Sequence, residues 1–346
     1  MEAKLFEDQI PCSNPNIYGP EKPVFVSSSD REKPIQLPKS KKTFNPSSFG
    51  EFGLLFKFIT LIKLNFSCAQ ENDIKEKLEA EGLSDAYLEL EVINAAKTEH
   101  LSEYKRFLYD RLQRQGFDQG DCHKMASRDR HVFASLMLAH GHGDGMITGA
   151  TRKSAAVLSR INRVFDAKAG DGVVGVTAMM LRGRLVLMAD TLVHEWPEEE
   201  DLADIAERAA GVARHLGLEP RVAFVSFSNF GYPVSERAEK MSKARIVLDK
   251  RGSDFEYDGE MTADVALNTE VLASYPFCRL TAPANILVVP ARHSGSISVK
   301  LMQELGGATV IGPILSGIDR PVQLCNISAT SNDILNMAVM AACKVG

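Results

Sequence analysis

Residues 183–228 read "GRLVLMADTLVHEWPEEEDLADIAERAAGVARHLGLEPRVAFVSFS". An apolar run at 183–190 is followed by a long helical segment whose acidic residues come first, against the positive end of its dipole, and then by a second apolar run, "RVAFVSFS". Strand, helix, strand in this order is a βαβ unit, which predicts a mainly parallel sheet with helices on its faces.

The rhythm extends in both directions. Upstream, "GVVGVTAMML" and "GRLVLMAD" are joined by Arg182-Gly183-Arg184, a hairpin signal. Before that, "EYKRFLYDRLQRQG" reads as an amphipathic helix closed by Gly116, and "HVFASLMLAHG" as a more buried one. Earlier still come a strand-like apolar run, "FGLLFKFITLIKLNF", a helix at "ENDIKEKLEAEGL" and strand-like alternation in "AYLELEVINA". Downstream, "SERAEKMSKARIVLDKRG" is a helix, and "FEYDGEM", "NILVVPA", "ATVIGPIL" and "PVQLC" are strand or loop-edge segments. Two α/β units in series are expected, the second wrapped in pieces of the first. Residues 1–50, rich in Pro, Ser, Lys and Asn with no apolar period, are expected to be disordered.

Composition narrows the class of function. With 346 residues, 45% hydrophobic and 25% charged, the chain has the make-up of a globular protein with room for two domains. A net charge of −5 gives no reason to expect nucleic acid or an anionic membrane as partner. Lys57 and Lys63 interrupt the most apolar segment, which is too short for a membrane span. Six cysteines without a C-x-x-C pair argue against a zinc site or a disulfide framework and point to reduced thiols in a cytoplasm. Small molecules are the expected partners.

In an open α/β sheet, ligands gather outside the carboxyl ends of the strands, so the loops after apolar runs matter most. Six are polar or glycine-rich: 140–153, "ADT" at 189–191, "SFSNFG" at 226–231, "DGEMTAD" at 258–264, "GPILSG" at 312–317, and "CNISATSND" at 325–333. In the last, Thr330 and Asp333 have the spacing of a helix cap; the competing reading is a ring of hydrogen-bonding groups at the mouth of a cleft. His140, His142 and Asp144 lack fixed ligand geometry among interleaved glycines, so no metal is expected. Arg152, Lys153, Arg160 and Arg163 suit phosphate or a solvated helix face. Ser226 and Ser228 stand at a strand end without a G-x-S-x-G elbow. Asp258, Glu260 and Asp264 form the densest carboxylate group, suited to proton shuttling or metal and equally to a cap with a turn.

Taken in order, "GDGMITGA", "MADT", "SFSNFG", "DGEMTADVAL", "ANILVVPARHSGSISVKL" and "GPILSGIDRPVQL" resemble the phosphate acetyl/butyryltransferase (phosphotransacetylase) family. "YDGEMTADVALN", "YPFCRL" and "SISVKLMQELGG" are similar to the version of it that forms the C-terminal part of large bacterial NADP-dependent malic enzymes. The resemblance implies two α/β domains, 54–167 with 315–346 and 168–314, preceded by an atypical segment, 1–53, with a cleft between the domains. It implies coenzyme A or acetyl-CoA as substrate or effector with no permanently bound cofactor, acyl phosphate as the other substrate, and a homodimer or higher oligomer built through the second domain. Thr148, Gly149, Arg160, Ser226, Ser228, Asn229, Gly231, Asp258, Glu260, Gly312, Pro313 and Gly317 become ligand-binding candidates.

In active members a coenzyme A thiol attacks an acyl phosphate, an aspartate takes the thiol proton, a serine donates to the oxyanion and the following arginine holds phosphate. Aligned with that Ser-Arg-Gly-Cys loop, this chain has Asn326, Ile327, Ser328 and Ala329, then Asp333. The aspartate is kept; the serine and arginine are not. Asn326 retains an amide able to donate to an oxyanion, whereas Ile327 cannot replace a bidentate guanidinium. A second family arginine aligns with Ser159, beside Arg160. Catalytic candidates are therefore Asp333, Asn326 and Ser328. The expectation is an acetyl-CoA-responsive, oligomerising module with little or no acyl transfer; the alternatives are an active phosphate acyltransferase and a purely structural oligomerisation domain. No Rossmann G-x-G-x-x-G precedes residue 60, so no malic-enzyme catalytic domain is expected, and a truncated gene is a plausible origin.

Overall fold

In a computed structural model, residues 58–60, 93–150, 152–166 and 172–343 are described. The expected N-terminal disorder, the helix expected in 71–83 and most of the strand-like run 86–95 lie outside them. The described residues belong to one unit, Asn45–Gly346, and fold around two sheets.

The smaller sheet has the order β1 (Phe58–Thr60), β2 (Gly145–Gly149), β9 (Val322–Cys325), all parallel. Helices α1 (Leu101–Leu112), α2 (Gln119–Arg128), α3 (Arg130–Ala139) and α4 (Ser154–Ile161) supply its core, in which Tyr104, Leu108, Phe133, Leu136 and Ile161 pack on Met146 and Leu324. Gly116 closes the first helical segment, as expected. Helix α2 was not legible as a separate element; Asp118 and Asp121 start it with a reciprocal cap. Asp129 then ends it and opens α3, accepting from the His131 N–H at 3.0 Å and the Val132 N–H at 3.4 Å.

The larger sheet has the order β6 (Glu256–Met261), β5 (Arg221–Val225), β7 (Ile286–Val288), β4 (Arg184–Ala189), β3 (Val174–Leu181), β8 (Thr309–Ser316). Its first four strands are parallel, and β3 runs against both β4 and β8. The β3–β4 connection is the expected hairpin, with Arg182 and Gly183 both at positive φ. Helices α5 (Glu199–His215) and α6 (Glu236–Arg251) cover one face; the alanine-rich side of α5 packs with Met241 and Leu248 of α6 on Leu187, Phe224 and Val288. The opposite face, carrying Met179, Met188 and Leu287, meets α7 (Ala263–Leu267), α8 (Thr269–Leu272) and Val299 of α9 (Arg292–Glu304).

The chain passes from the larger sheet to the smaller between β8 and β9. Gln323 of β9, buried, accepts from the Leu315 N–H at 2.9 Å and donates to the Leu315 carbonyl at 3.3 Å. A Cβ on Gly317 would lie 2.5 Å from the Gly172 carbonyl oxygen, so the two crossing segments meet backbone to backbone. The last helix, α10 (Ser331–Ala342), follows β9 and packs Met337 and Met340 into the core beneath the larger sheet. This arrangement is the mainly parallel α/β architecture expected from the sequence, and no helix among the described residues is long and apolar enough to cross a membrane.

Candidate functional site

A cavity of about 170 Å³ opens where the two sheets adjoin. One wall is the start of β8 (Val310, Ile311, Gly312) with Gln303 of α9. The other is the loop after β9 and the first turns of α10, bringing Asn326, Ser328, Thr330, Asp333 and Asn336 together over Cys325 and Met337. All three catalytic candidates, and Gly312 from the ligand-binding set, thus line one space at the carboxyl end of β9. The lining carries one carboxylate and no Lys, Arg or His.

Both readings of Asp333 are present in its geometry. Thr330 caps α10, its Oγ1 accepting from the Asp333 N–H at 3.2 Å, while Asp333 Oδ2 accepts from the Thr330 N–H at 2.8 Å and its hydroxyl at 2.9 Å. Both bonds to the Asp333 carboxylate end on Oδ2; among the described residues Oδ1 has none, and Asp333 is half-buried at the cavity wall. Asn326 is oriented from the facing helix, where the Ser154 hydroxyl donates to its Oδ1 at 3.2 Å. Its NH₂ is thereby the end left to donate. Burial, with Asp333 nearby, pushes the Cys325 thiol up to about 11, so it stays protonated at neutral pH.

Other ligand-binding candidates sit elsewhere. Thr148 is buried, its hydroxyl 2.7 Å from His131 Nδ1, and burial lowers that histidine to about 4, leaving it neutral. A Cβ on Gly149 would come 2.1 Å from the Cys325 carbonyl oxygen; glycine there lets β2 and β9 close up behind the cavity. Arg160 turns away to Asp129, with Nε donating at 2.6 Å, and to the Ala156 carbonyl at 2.8 Å. Pro313 is buried beside Gly312.

Ser226, Ser228, Asn229, Gly231 and Glu260 form a separate clasp at the ends of β5 and β6. The Ser228 hydroxyl and the Gly231 N–H donate to Glu260 Oε1 at 3.0 and 2.7 Å; Asn229 Oδ1 accepts from the Thr262 N–H at 2.8 Å; the Ser226 N–H reaches the Met261 carbonyl at 2.9 Å. Asp258 accepts instead from the Gly259 and Arg279 N–H groups, at 2.9 and 2.8 Å, so it and Glu260 do not share a site. No group of three or more His, Cys, Asp or Glu suited to a metal occurs among the described residues.

The sequence reading missed Gln303 and Asn336. Asn336 had a signal, one helical turn after Asp333; Gln303 reaches the cavity only through the packing of α9. It also missed that Asp190, in the "ADT" loop, is a buried anchor. Asp190 accepts from the Gly175, Leu192, Val193 and His194 N–H groups and holds His194 Nδ1 at 2.7 Å. That bond raises the His194 pKa, against the opposing effect of burial.

Comparison with known proteins places this arrangement. The family profile described as phosphate acetyl/butaryl transferase matches residues 61–342. An NADP-dependent malic enzyme of Rhizobium meliloti is 48% identical over 277 residues, covering 80% of this chain and 36% of the relative. A phosphate acetyltransferase of Clostridium acetobutylicum is 32% identical, covering 78% of this chain and 83% of the relative. A solved phosphotransacetylase from Streptococcus pyogenes superposes with a TM-score of 0.73 at 26% identity, over 80% of this chain and 84% of the other. The chain thus spans about a third of the malic enzymes it matches and most of the phosphate acetyltransferases.

Proposed function

Since this chain belongs to the phosphate acetyl/butaryl transferase family, we infer that it binds acetyl-CoA as a regulatory module with little or no acyl transfer, its two domains being 54–167 with 315–346 and 168–314. The observation that carries this reading is the cavity lining: amide, hydroxyl and one carboxylate, with no cation. The thioester end of acetyl-CoA is neutral and needs only hydrogen-bond donors such as the Asn326 amide, its phosphates lying outside the cavity; an acyl phosphate brings charge that, left unpaired in a partly desolvated site, is strongly disfavoured. Ile327, 47% exposed, takes on this reading the place of the family's arginine, and Arg160 is engaged by Asp129. Losing such a phosphate partner costs several kcal/mol, which is about two to four decades in rate. The purified chain, assayed with acetyl phosphate and coenzyme A, is expected to fall that far below ordinary enzymatic turnover, and turnover at an ordinary rate sinks the reading.

Self-association through the second domain is part of the proposal. Ile297, Leu301 and Leu305, spaced i, i+4, i+8 along α9 and its end, are 59%, 52% and 83% exposed and make an apolar stripe. Light scattering is expected to give a dimer or larger species that Leu301→Asp dissociates; a wild-type monomer removes this part alone.

A further inference from the structure

We propose that the larger sheet carries a second ligand site, for a mononucleotide, in the crevice at Trp196 and Arg237. β7 lies between β5 and β4, yet its outgoing helix α9 packs on the opposite face from α6 and α5, which follow those neighbours. Strand ends where the chain departs to opposite faces leave a crevice, and ligands of open α/β sheets bind in it. Here that crevice is a cavity of about 300 Å³, lined by Trp196 and Pro197 after β4, Glu236, Arg237 and Lys240 in the first turns of α6, and Pro290 after β7, with Leu202 and Met241 below.

Its chemistry is specific. The Arg237 guanidinium lies 4.2 Å from the Trp196 ring centroid, and Trp196 is 58% exposed despite its size. Lys240 is neutralised by Glu198 at 2.7 Å, and Arg292 beside the crevice by Glu195 at 3.1 Å. Arg237 has no carboxylate within ion-pair distance among the described residues, so it is the cation left to meet an anion. A guanidinium held over an aromatic ring by a cation–π contact keeps N–H donors free for a phosphate. The indole and the apolar floor of Leu202, Met241 and the prolines suit a flat base. A volume of about 300 Å³ is at the lower bound for small-molecule sites and selects one nucleotide unit over a dinucleotide. The site is separate from the Asn326–Asp333 cavity, which shares no lining residue with it.

Trp196 is the only tryptophan of the chain, so its fluorescence reports on this crevice alone. In titrations of the full chain, AMP is expected to change that emission saturably, inorganic phosphate and adenosine each to act far more weakly, and Arg237→Glu to weaken AMP by about tenfold or more, the loss of a charged hydrogen bond. Arg237 is exposed, and an unchanged melting curve for the variant confirms its fold. An absent AMP response, a response equally strong with phosphate alone, or unaltered AMP affinity in Arg237→Glu each overturns the proposal. None of these outcomes bears on acetyl-CoA binding at the other cavity.

Discussion

Two aspartates, Asp190 at the end of β4 and Asp333 in the first turn of α10, both order neighbouring backbone, and they differ in what is left over. Asp190 is 1% exposed and both its oxygens are taken, by four backbone N–H groups and the His194 ring. Asp333 uses one oxygen for its cap and keeps the other at the wall of a cavity. A saturated, sealed carboxylate has no remaining capacity to meet a ligand and acts on stability; a half-used one at a cavity can do both.

This contrast breaks most visibly at Asp190. Asp190→Ala leaves several buried donors and a histidine unmatched, and an expected loss of about 3–5 kcal/mol would appear as an early midpoint in urea; a loss under about 1 kcal/mol would show that the anchor is dispensable. Next in size is a gain. Ile327→Arg places a guanidinium between the lining residues Asn326 and Ser328, and one charged hydrogen-bonded contact of about 1.5–3 kcal/mol should tighten inorganic phosphate about tenfold or more by calorimetry. Unchanged phosphate affinity would mean that residue 327 does not face the ligand.

Asp333→Asn is smaller. It should cost about 0.3–1 kcal/mol through the weakened cap and dipole interaction, and also change the rise in melting temperature produced by acetyl-CoA. An equal ligand-induced rise in both proteins would leave Asp333 as a cap and nothing more. The smallest effect is pH dependence at His194. Its folded pKa is raised above the ordinary value of 6.5 by Asp190, so its stabilisation is complete below that value and fades as pH rises through the folded pKa. Melting temperature should therefore fall slightly more between pH about 6 and about 8 in the wild type than in His194→Gln; parallel profiles would show that the pair is not titrating there.

The fold was largely legible because its signals are local. Arg182-Gly183 at a two-residue turn and the acidic start of α5 need no tertiary information. α2 was hidden because its signal is a cap, Asp118 with Asp121, set between two more apolar helices. At the site, Asn326, Ser328 and Asp333 were readable together since one loop and one helix turn carry them. The direction of Arg160 was not legible: proximity along the chain to an aligned position says nothing of it, and Asp129, thirty-one residues earlier, engages its guanidinium. The 226–231 and 258–260 motifs were read as ligand contacts; Ser228 and Gly231 bond to Glu260 Oε1, Asp258 bonds to Gly259 and Arg279, and Glu260 Oε2 has no hydrogen-bond partner among the described residues. Polar residues after strands signal a loop that must be satisfied, and only packing decides whether its partner is protein or ligand.

The central claim, that the cation-free cavity holds the thioester end of acetyl-CoA, is tested most directly by calorimetric titration of acetyl-CoA into the full chain and into Ser328→Trp. Ser328 is exposed on the cavity wall, so the indole fills the space without disturbing the core. Saturable heat in the wild type that disappears in the variant, with melting curves otherwise matching, is the expected result. No saturable heat in the wild type, or equal affinity in the two proteins, would contradict the claim.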